Sequence, residues 1–454
     1  MKIVILGAGS AGSSVASALA SEENDITVID YNDQLLDALK SKFDIKTIQG
    51  NAAHPKVLEQ AEVLHADIVI AVTDRDETNM LACLIISKLY SRPKTIARVR
   101  AIDFLKNPKL FEANGIPVDV VISPEQIVMK AIRNLIEFPG VLHISDYAGG
   151  LVRLFSVKAV AEGFLTNKKI KDIKQELNNR KIRVVAIFRH GKQQVVNGSS
   201  IILSGDEVFF VAPSKELRRT LKDLRTLEAP IKRIILAGGG HIGKRLALAL
   251  ENSYHVKIIE KDLVRAKKIA NDLNNTLVLQ GDCTDPALLT DESIASTDLF
   301  CSVTENDGIN IVSASLAKSL GVGKAICLLN QNAYAKLLPR TGIDVAVLPN
   351  QETLGSILKH VRHGDVAEVN SLCGGTAEAI EAIVHQYPGE ACLVGKTVKH
   401  VNFPKGIVLG SVVRNQQVIC VHHDTTFEEG DHVIMFAINK KLVSNIEKIF
   451  EVPA

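Results

Sequence analysis

Residues 3–12, IVILGAGSAG, determine how the amino-terminal part of the chain folds. Four apolar residues, as in a buried parallel strand, lead into glycines 7, 9 and 12, and small residues that favour a helix follow at 13–19. In such a turn, Gly7 permits the sharp reversal, Gly9 lets a pyrophosphate approach the backbone, and Gly12 allows close packing of helix on strand. The free N–H groups at the helix N-terminus then favour phosphate. The stretch therefore predicts a dinucleotide-binding turn.

An acidic residue follows at the distance that such a turn requires. Asp30 ends the second predicted strand, 18 residues beyond Gly12, where a carboxylate accepts hydrogen bonds from the adenosine ribose hydroxyls. The carboxylate would repel a 2′-phosphate, and Tyr31 rather than an arginine follows it, so the pattern favours NAD(H) over NADP(H). The alternative interpretation is a tight turn that binds no ligand.

The same landmarks recur in the second half of the 454-residue chain. Residues 234–243 read IILAGGGHIG, and the glycines at 238, 240 and 243 repeat those of the first turn at an offset of 231 residues. The other repeated landmarks are Gly50-Asn51 with Gly281-Asp282, Val72-Thr73-Asp74 with Val303-Thr304-Glu305 and, at an offset of 230, Asp30 with Glu260. Such a long-range repeat indicates two copies of one module.

A second landmark, a Gly-Asp pair before an apolar strand, divides each half into a large and a small module. It occurs at residues 205–206 and again at 430–431. The predicted modules are residues 1–138, 139–225, 231–360 and 361–454, and residues 226–230 form a linker because Pro230 cannot continue the preceding helix.

Each large module alternates apolar strands with helical segments, which predicts two tandem Rossmann-like, doubly wound parallel sheets. The strands predicted for half one are residues 2–6, 26–30, 46–48, 67–72, 94–99 and 118–122. Each small module is predicted to be a compact α+β domain. In half one it comprises a strand at 151–157, a helix at 170–177, a hairpin at 182–196 and a strand at 206–211.

Composition excludes several classes of function. Hydrophobic residues make up 46% of the chain and charged residues 23%, as in a folded globular protein. The net charge of +2 is spread without blocks of one sign, so we expect no nucleic-acid partner. The sequence contains no apolar run of about 18 residues, the length that a membrane-spanning helix requires. The seven scattered cysteines contain no CxxC pair, which is typical of reduced thiols in the cytoplasm rather than of disulfides or a metal site.

Further polar residues end successive predicted strands, at the sheet edge where a doubly wound fold binds its ligand. In half one they are Asn51, Thr73, Asp74 and Arg98. Arg98 is interpreted either as a bidentate phosphate ligand or as a member of a surface ion pair. Its counterpart at the offset of 231 is Leu329, so half one is expected to bind anions better. The alternative of a turn that binds no ligand is stronger in half two than in half one, because His241 and Lys244 add bulk and charge near the half-two turn.

These motifs together resemble a known family. The resemblance rests on IVILGAGSAG, on AVTDRDETNM at 71–80 and on GIDVAVLPNQETLGSILKHVRHGDVAEVNSL at 342–372. The chain is similar to the NAD-binding peripheral subunits of bacterial Trk potassium-uptake systems, which are built from tandem RCK (KTN) domains. The resemblance implies a cytoplasmic regulator on the inner face of the cell membrane, bound to a membrane-embedded potassium-translocating subunit. It also implies a homo-oligomeric ring of RCK domains, taken as a tetramer, that responds to NAD(H), ATP or ADP.

The resemblance also implies which residues contact the ligand. In half one they are Gly7, Ala8, Gly9, Ser10, Ala11, Gly12, Asp30, Asn51, Thr73, Asp74 and Arg98. In half two they are Gly238, Gly239, Gly240, His241, Ile242, Gly243, Glu260, Asp282, Thr304 and Glu305.

Two other classes of function stay open at the level of sequence. An NAD-dependent oxidoreductase needs a proton-transfer group near the nicotinamide, and His54 and Lys56 are the candidates after the Gly50 loop. Half two has Asp285 and Ala287 at those positions, so duplicated turns without a duplicated catalytic pair favour a regulator. The third class is a structural scaffold whose turns bind no ligand.

Overall fold

The fold contains four β-sheets within the described residues, two parallel and two antiparallel. The computed structural model describes residues 1–20, 24–90, 93–112, 114–177, 181–194, 196–224, 229–335, 337–361, 366–372, 376–387, 389, 392–439 and 442–451. Residues 226–228 of the predicted linker and Cys373 lie outside them. No helix of the described chain is long and apolar enough to cross a bilayer.

Half one begins with a six-stranded parallel sheet in the order β3-β2-β1-β4-β5-β6. Its strands are β1 (Lys2–Leu6), β2 (Asp25–Asp30), β3 (Lys46–Gln49), β4 (Ile68–Ala71), β5 (Lys94–Arg98) and β6 (Val120–Ile122). Its helices are α1 (Ser10–Leu19), α2 (Asp33–Lys40), α3 (Pro55–Gln60), α4 (Asp76–Leu89), α5 (Ile102–Leu105) and α6 (Pro124–Glu137). All six predicted strands are confirmed, with ends that differ by at most two residues.

The small module of half one is a five-stranded antiparallel sheet in the order β10-β9-β11-β8-β7. Its elements are β7 (His143–Tyr147), β8 (Val152–Lys158), α7 (Ile170–Glu176), β9 (Arg183–Arg189), β10 (Lys192–Gln194), β11 (Glu207–Pro213) and α8 (Leu217–Asp223). The predicted strands, helix and hairpin are all present. Sequence reasoning missed β7, which is short and pairs along its whole length with β8.

Half two repeats this plan. Its parallel sheet, in the order β14-β13-β12-β15-β16-β17, contains β12 (Arg233–Ala237), β13 (His255–Glu260), β14 (Leu277–Gln280), β15 (Leu299–Ser302), β16 (Lys324–Leu328) and β17 (Val345–Val347). Its helices are α9 (His241–Leu250), α10 (Leu263–Asp272), α11 (Pro286–Asp291), α12 (Asp307–Ser319), α13 (Asn332–Ala335) and α14 (Pro349–Val361). The antiparallel sheet, in the order β18-β19-β22-β20-β21, contains β18 (Val366–Leu372), β19 (Ala377–Ile383), β20 (Ile407–Arg414), β21 (Gln417–Cys420) and β22 (His432–Ala437), and α15 (Val443–Phe450) follows.

The repeated Gly-Asp pair is explained by a buried ion pair in each small module. The fully buried Asp206 carboxylate accepts hydrogen bonds from Arg189 at 2.8 and 2.9 Å and from the Leu203 amide at 2.8 Å. Burial alone would raise the pKa of Asp206, but these hydrogen bonds outweigh it and the pKa lies below its usual value. Asp431 is held in the same way by Arg414, at 2.8 Å through both carboxylate oxygens. The landmark is therefore structural.

The two halves exchange one helix each. The apolar face of α6, which follows the last strand of the half-one parallel sheet, packs into the core of the half-two parallel sheet through Val128, Ile132, Leu135 and Ile136. Conversely, α14 packs through Ile357, Leu358 and Val361 against Ile3, Ile5 and Val15 of half one. Each parallel sheet is thus covered on one face by a helix from the other half. The small modules also share a core, in which Phe209 packs near Phe436.

Because of this exchange, a cavity in α6 should destabilise both halves together. Ile132→Ala removes a fully buried side chain and should cost about 2–5 kcal/mol in the free energy of unfolding. The control is Gln126→Ala on the exposed face of the same helix. Calorimetry should show one transition, shifted to lower temperature. Two separate transitions, with only one of them shifted, would contradict the exchange as a source of cooperativity.

Candidate functional site

The glycine turn of half one has the geometry that its sequence predicts. Gly7 has φ +110°, and a Cβ there would lie 3.0 Å from backbone atoms of Thr73, so the position requires glycine. A Cβ on Gly12 would lie 1.9 Å from the Gly7 carbonyl oxygen, which fixes the close approach of helix and strand. Around Gly9, no described atom lies within 4 Å of the Cβ position. Gly9 therefore leaves open space in front of the helix.

Both glycine turns end in a helix without a side-chain cap. Gly9 and Gly240 occupy the N-cap positions of α1 and α9, and as glycines they have no side chain that could accept a hydrogen bond from the amides of the first turn. The first N–H groups of an α-helix have no partner within the helix, so these amides, together with the helix dipole, favour an anion. The helix of half one begins at Ser10 rather than at residue 13, directly after the turn.

Asp30 fixes the first glycine turn as well as ending β2. Its Oδ2 accepts a hydrogen bond from the Ala8 amide at 2.6 Å, and its Oδ1 accepts one from the Asn32 amide at 2.8 Å. A carboxylate offers about four lone-pair positions, so two remain for hydroxyl donors. The predicted ribose-binding acid thus also positions the backbone beside the start of α1.

Glu260 does the same in half two with a longer side chain. Its Oε2 accepts a hydrogen bond from the Gly239 amide at 2.9 Å. A Cβ on Gly239 would lie 3.0 Å from that oxygen and 2.4 Å from Cδ1 of Ile269. The equivalent pair in half one is Asp30 with Ala8, in which the acid is one methylene shorter and the turn residue carries a methyl group. In half two, the absence of that methyl group at Gly239 leaves room for the longer side chain of Glu260.

A buried asparagine, which the sequence marks as part of the repeat but which was not predicted as a site residue, connects the next two strands of each sheet. In half one, Oδ1 of Asn79 accepts hydrogen bonds from the Thr73 amide at 2.9 Å and hydroxyl at 2.7 Å. Its Nδ2 donates to the Arg98 carbonyl oxygen at 3.0 Å. Asn310 makes the equivalent bonds to Thr304. The available signal was the repeat itself, since both asparagines stand six residues after their threonine.

The same bond corrects the predicted counterpart of Arg98. Nδ2 of Asn310 donates to the Leu328 carbonyl oxygen at 2.9 Å, so Leu328 and not Leu329 is equivalent to Arg98. The offset of 231 fails here because α12 and β16 begin 17 residues apart, whereas α4 and β5 begin 18 apart. The absence of a cation at this position of half two holds for either residue.

The loops that follow β3 and β14 differ between the halves. The side chain of Asn51 accepts a hydrogen bond from the Ala53 amide at 2.9 Å. Asp282 instead pairs with Lys261 at 2.9 Å and accepts from the Thr284 amide at 2.9 Å. The hydrogen bond from Lys261, followed by those from Thr284, lowers the pKa of Asp282 to about 2. Asp74 and Glu305, which follow the next strand in each half, are exposed.

A cavity of about 400 Å³ lies at the glycine turn of half two, between the two halves. It brings together the predicted residues Gly238, Gly240, His241, Ile242, Glu260, Asp282, Thr304 and Glu305 with Ser10, Ala11 and Arg98 of half one. The lining of this cavity does not include Gly7, Ala8, Gly9, Gly12, Asp30, Asn51, Thr73, Asp74, Gly239 or Gly243. Arg100, which the sequence did not single out, also lines it.

The residues considered for catalysis are not organised for it. His54 and Lys56 are exposed, and neither side chain makes a hydrogen bond or ion pair with another described residue. Among the described residues, no group of three or more His, Cys, Asp or Glu could hold a metal ion. Five of the six described cysteines are buried free thiols, and Cys420 is partly exposed.

Comparison with known proteins identifies the family. The TrkA-N domain model matches residues 3–124 and 234–349, and the TrkA-C domain model matches 154–225 and 388–450. The Trk system potassium uptake protein TrkA of Halomonas elongata is 43% identical over 452 residues, covering 100% of this chain and 99% of that protein. The chain belongs to the TrkA family. This is a family of potassium-uptake proteins and not of oxidoreductases, and it was predicted by the resemblance.

Solved structures of RCK proteins share the fold of this TrkA-family chain. The crystal structure of the GsuK RCK domain matches with a TM-score of 0.63 and 17% identity, covering 99% of this chain and 94% of that one. The GsuK channel bound to NAD matches with a TM-score of 0.62 and 18% identity, covering 99% and 78%. At this identity the likeness establishes the fold, two Rossmann-like sheets each followed by an antiparallel domain.

The fit between Gly239 and Glu260 can be tested by stability. Gly239→Ala should cost about 1–3 kcal/mol, as overpacking in a core does, because its Cβ meets Ile269 and Glu260. Gly240→Ala is the matched control, since no described atom lies within 4 Å of that Cβ position. Adding Ile269→Val to Gly239→Ala should restore much of the melting temperature. Equal melting temperatures for the two single variants would refute the steric explanation.

Proposed function

We propose that the protein is a cytoplasmic regulatory subunit that binds NAD(H) at its glycine turns and thereby gates a membrane-embedded, Trk-type potassium-translocating subunit. The observation that carries the proposal is the duplicated turn, in which an uncapped helix N-terminus lies beside a carboxylate that holds the turn. Both features bind a nucleotide without acting on it chemically. The exposed His54 and Lys56, which lack partners among the described residues, speak against the oxidoreductase alternative.

The ligand proposed for both turns is NAD(H), with ATP or ADP as the second choice. Support comes from Asp30 and Glu260, whose charges suit ribose hydroxyls and disfavour a 2′-phosphate. It also comes from the GsuK channel, a structural neighbour described with NAD bound. The ligand-contacting residues are proposed to be those that the resemblance implied for each half, apart from Arg98, which lines the cavity at the half-two turn. The division of the chain at residues 138, 225, 231 and 360 is likewise our proposal.

Ligand binding is proposed to act on the arrangement of the two halves. A ligand shifts an equilibrium between two states only by its difference in affinity for them. Tenfold discrimination supplies about 1.4 kcal/mol per site, so several sites in one assembly are sufficient to switch a channel. The exchanged helices α6 and α14 connect each turn to the opposite sheet, and a displacement at one turn is therefore felt in both halves.

Assembly into a homo-oligomeric ring, taken as a tetramer, is proposed from a repeated apolar stripe. On α4, Leu81 and Leu89 are 48% and 57% exposed, and Ile85 lies between them on the same helix face. The equivalent face of α12 carries Val312, 55% exposed, at the offset of 231 from Leu81. Faces that repeat within one chain suit contacts that repeat around a closed ring. The occupant we propose for both stripes is another copy of this chain.

The proposed function predicts a nucleotide-dependent potassium flux. Saturating NADH or ATP should change the flux through liposomes that contain a Trk-type translocating subunit and this protein. Asp30→Ala combined with Glu260→Ala should weaken nucleotide binding about tenfold or more, because hydrogen bonds to charged groups contribute about 1.5–3 kcal/mol. The control is Asp33→Ala, an exposed acid next to the first site. Unchanged flux at saturating nucleotide, or sustained NADH turnover with hydroxy or keto acids, would refute the proposal.

The ring proposal predicts a change in mass when the stripe is charged. Leu81→Lys combined with Val312→Lys should lower the oligomeric state measured by light scattering, because lysine at the centre of an apolar contact is costly to desolvate. Val264→Lys is the control, since this residue is 78% exposed on α10, away from both stripes. The same mass for the double variant and the parent protein would show that the stripes are not the contact.

A further inference from the structure

Three segments of half one reach the cavity at the half-two glycine turn. They are the start of α1, with Ser10 and Ala11, the segment at the end of β5 that carries Arg98 and Arg100, and the start of α6, with Pro124, Glu125 and Val128. Opposite them lies the start of α9, whose uncapped amides form the predicted phosphate site of half two. The cavity that faces this helix is therefore built from both halves.

Half two has no arginine of its own at the two equivalent positions. Leu328 corresponds to Arg98, and Asn330, whose amide bonds to Asp307 just as that of Arg100 bonds to Asp76, corresponds to Arg100. The side-chain Nδ2 of Asn330 also donates a hydrogen bond to Asp307, at 3.0 Å. The arginines that face the half-two turn are therefore Arg98 and Arg100 of half one.

The charge on these two arginines is only partly balanced by the protein. Arg100 donates to Glu125 at 2.7 Å. Burial works against its charged form, but Glu125, Asp76 and Glu305 of half two outweigh this and raise its pKa. The Nε of Arg98 is buried and has no hydrogen-bond partner among the described residues. Burial and the neighbouring Arg100 lower the pKa of Arg98. An anion between the two guanidinium groups would offset both the burial of Arg98 and its repulsion by Arg100.

A direct hydrogen bond holds the arginine segment against the helix of half two. Arg245, on α9, donates through Nη2 to the carbonyl oxygen of Arg100, and it is almost completely buried. The equivalent residue of α1 is Ser14, whose hydroxyl bonds to the Ser10 carbonyl oxygen of its own helix at 2.8 Å. The connection therefore runs in one direction, from the half-two phosphate helix to the half-one arginine segment.

We propose that Arg98 and Arg100 of half one bind the phosphates of a nucleotide held at the start of α9, so that the half-two site is composite. This inference rests on the proposed function, since it concerns the same nucleotide. The ligand class is one with at least two phosphates, which two planar guanidinium groups bind in bidentate fashion. A composite site exists only while the halves keep their relative positions, so its ligand has a different affinity for any other arrangement.

The absence of tryptophan from the chain makes a site-specific test possible. Tyr31→Trp places a single donor one residue beyond the Asp30 carboxylate, at an exposed position of half one. Leu263→Trp places one at the exposed start of α10, close to Glu260 in half two. Energy transfer to bound NADH falls steeply with distance, so each tryptophan reports mainly on the turn beside it in the full-length protein. Asp30→Ala in the Leu263→Trp protein suppresses the contribution of the half-one turn, which leaves a dissociation constant for the half-two turn.

Arg98→Gln combined with Arg100→Gln should raise the half-two dissociation constant for NADH at least fivefold and reduce its dependence on salt. A smaller rise would overturn the composite site, whatever happens at the half-one reporter. The control is Arg75→Gln, an exposed arginine of half one that does not line the cavity. Because Arg100 is paired with Glu125, Arg98→Gln alone serves as the second variant should the double variant fail to fold, and a rise of at least twofold is expected for it. A smaller rise with the single variant also overturns the proposal.

The two levels of inference fail in different ways. If neither reporter transfers energy to NADH at millimolar concentration in the parent protein, the proposed function is wrong. If both reporters respond and the arginine variants leave the half-two dissociation constant unchanged, nucleotide binding stands and only the composite site is wrong.

Discussion

The arrangement of the whole chain depends on the burial of two exchanged helix faces. Complete burial of one large aliphatic side chain stabilises by about 1.5–3 kcal/mol, and α6 contributes four such residues to the core of the opposite sheet. The sum is comparable with the net stability of a domain, about 5–15 kcal/mol. Neither parallel sheet retains a complete core without the other half. The two glycine turns therefore belong to one cooperative unit, as the proposed regulation requires if binding at one turn is to affect the rest.

The sequence was sufficient for most features that depend on local geometry, although it missed β7 and placed the start of α1 three residues too late. A glycine that must adopt positive φ, such as Gly7, or that must let a helix approach, such as Gly12, is recognisable from spacing alone. The strands of half one were placed within two residues because buried parallel strands are apolar throughout. The Gly-Asp landmark correctly marked the small modules, although the sequence did not reveal that Asp206 is buried against Arg189.

The helix exchange could not be predicted in the same way. The apolar spacing along α6 requires a buried face, but periodicity says nothing about which sheet covers it. For the same reason the direction of Arg98 was not accessible, since the end of β5 lies both beside its own turn and in the wall of the half-two cavity. The register error at Leu329 has a simpler origin. A constant offset was carried across a segment in which one residue is missing.

The differences between the halves follow from the same constraint. The two modules are not identical at their turns. The Asp30 and Ala8 pair of half one corresponds to Glu260 and Gly239 of half two, and the hydrogen bond that holds the turn is present in both. Ser14, bonded within its own helix, corresponds to Arg245, bonded across the halves. Because Arg245 of half two is fixed by the backbone of half one, a displacement between the halves alters the second cavity directly. The nucleotide binding that we propose there would therefore depend on the arrangement of the whole chain.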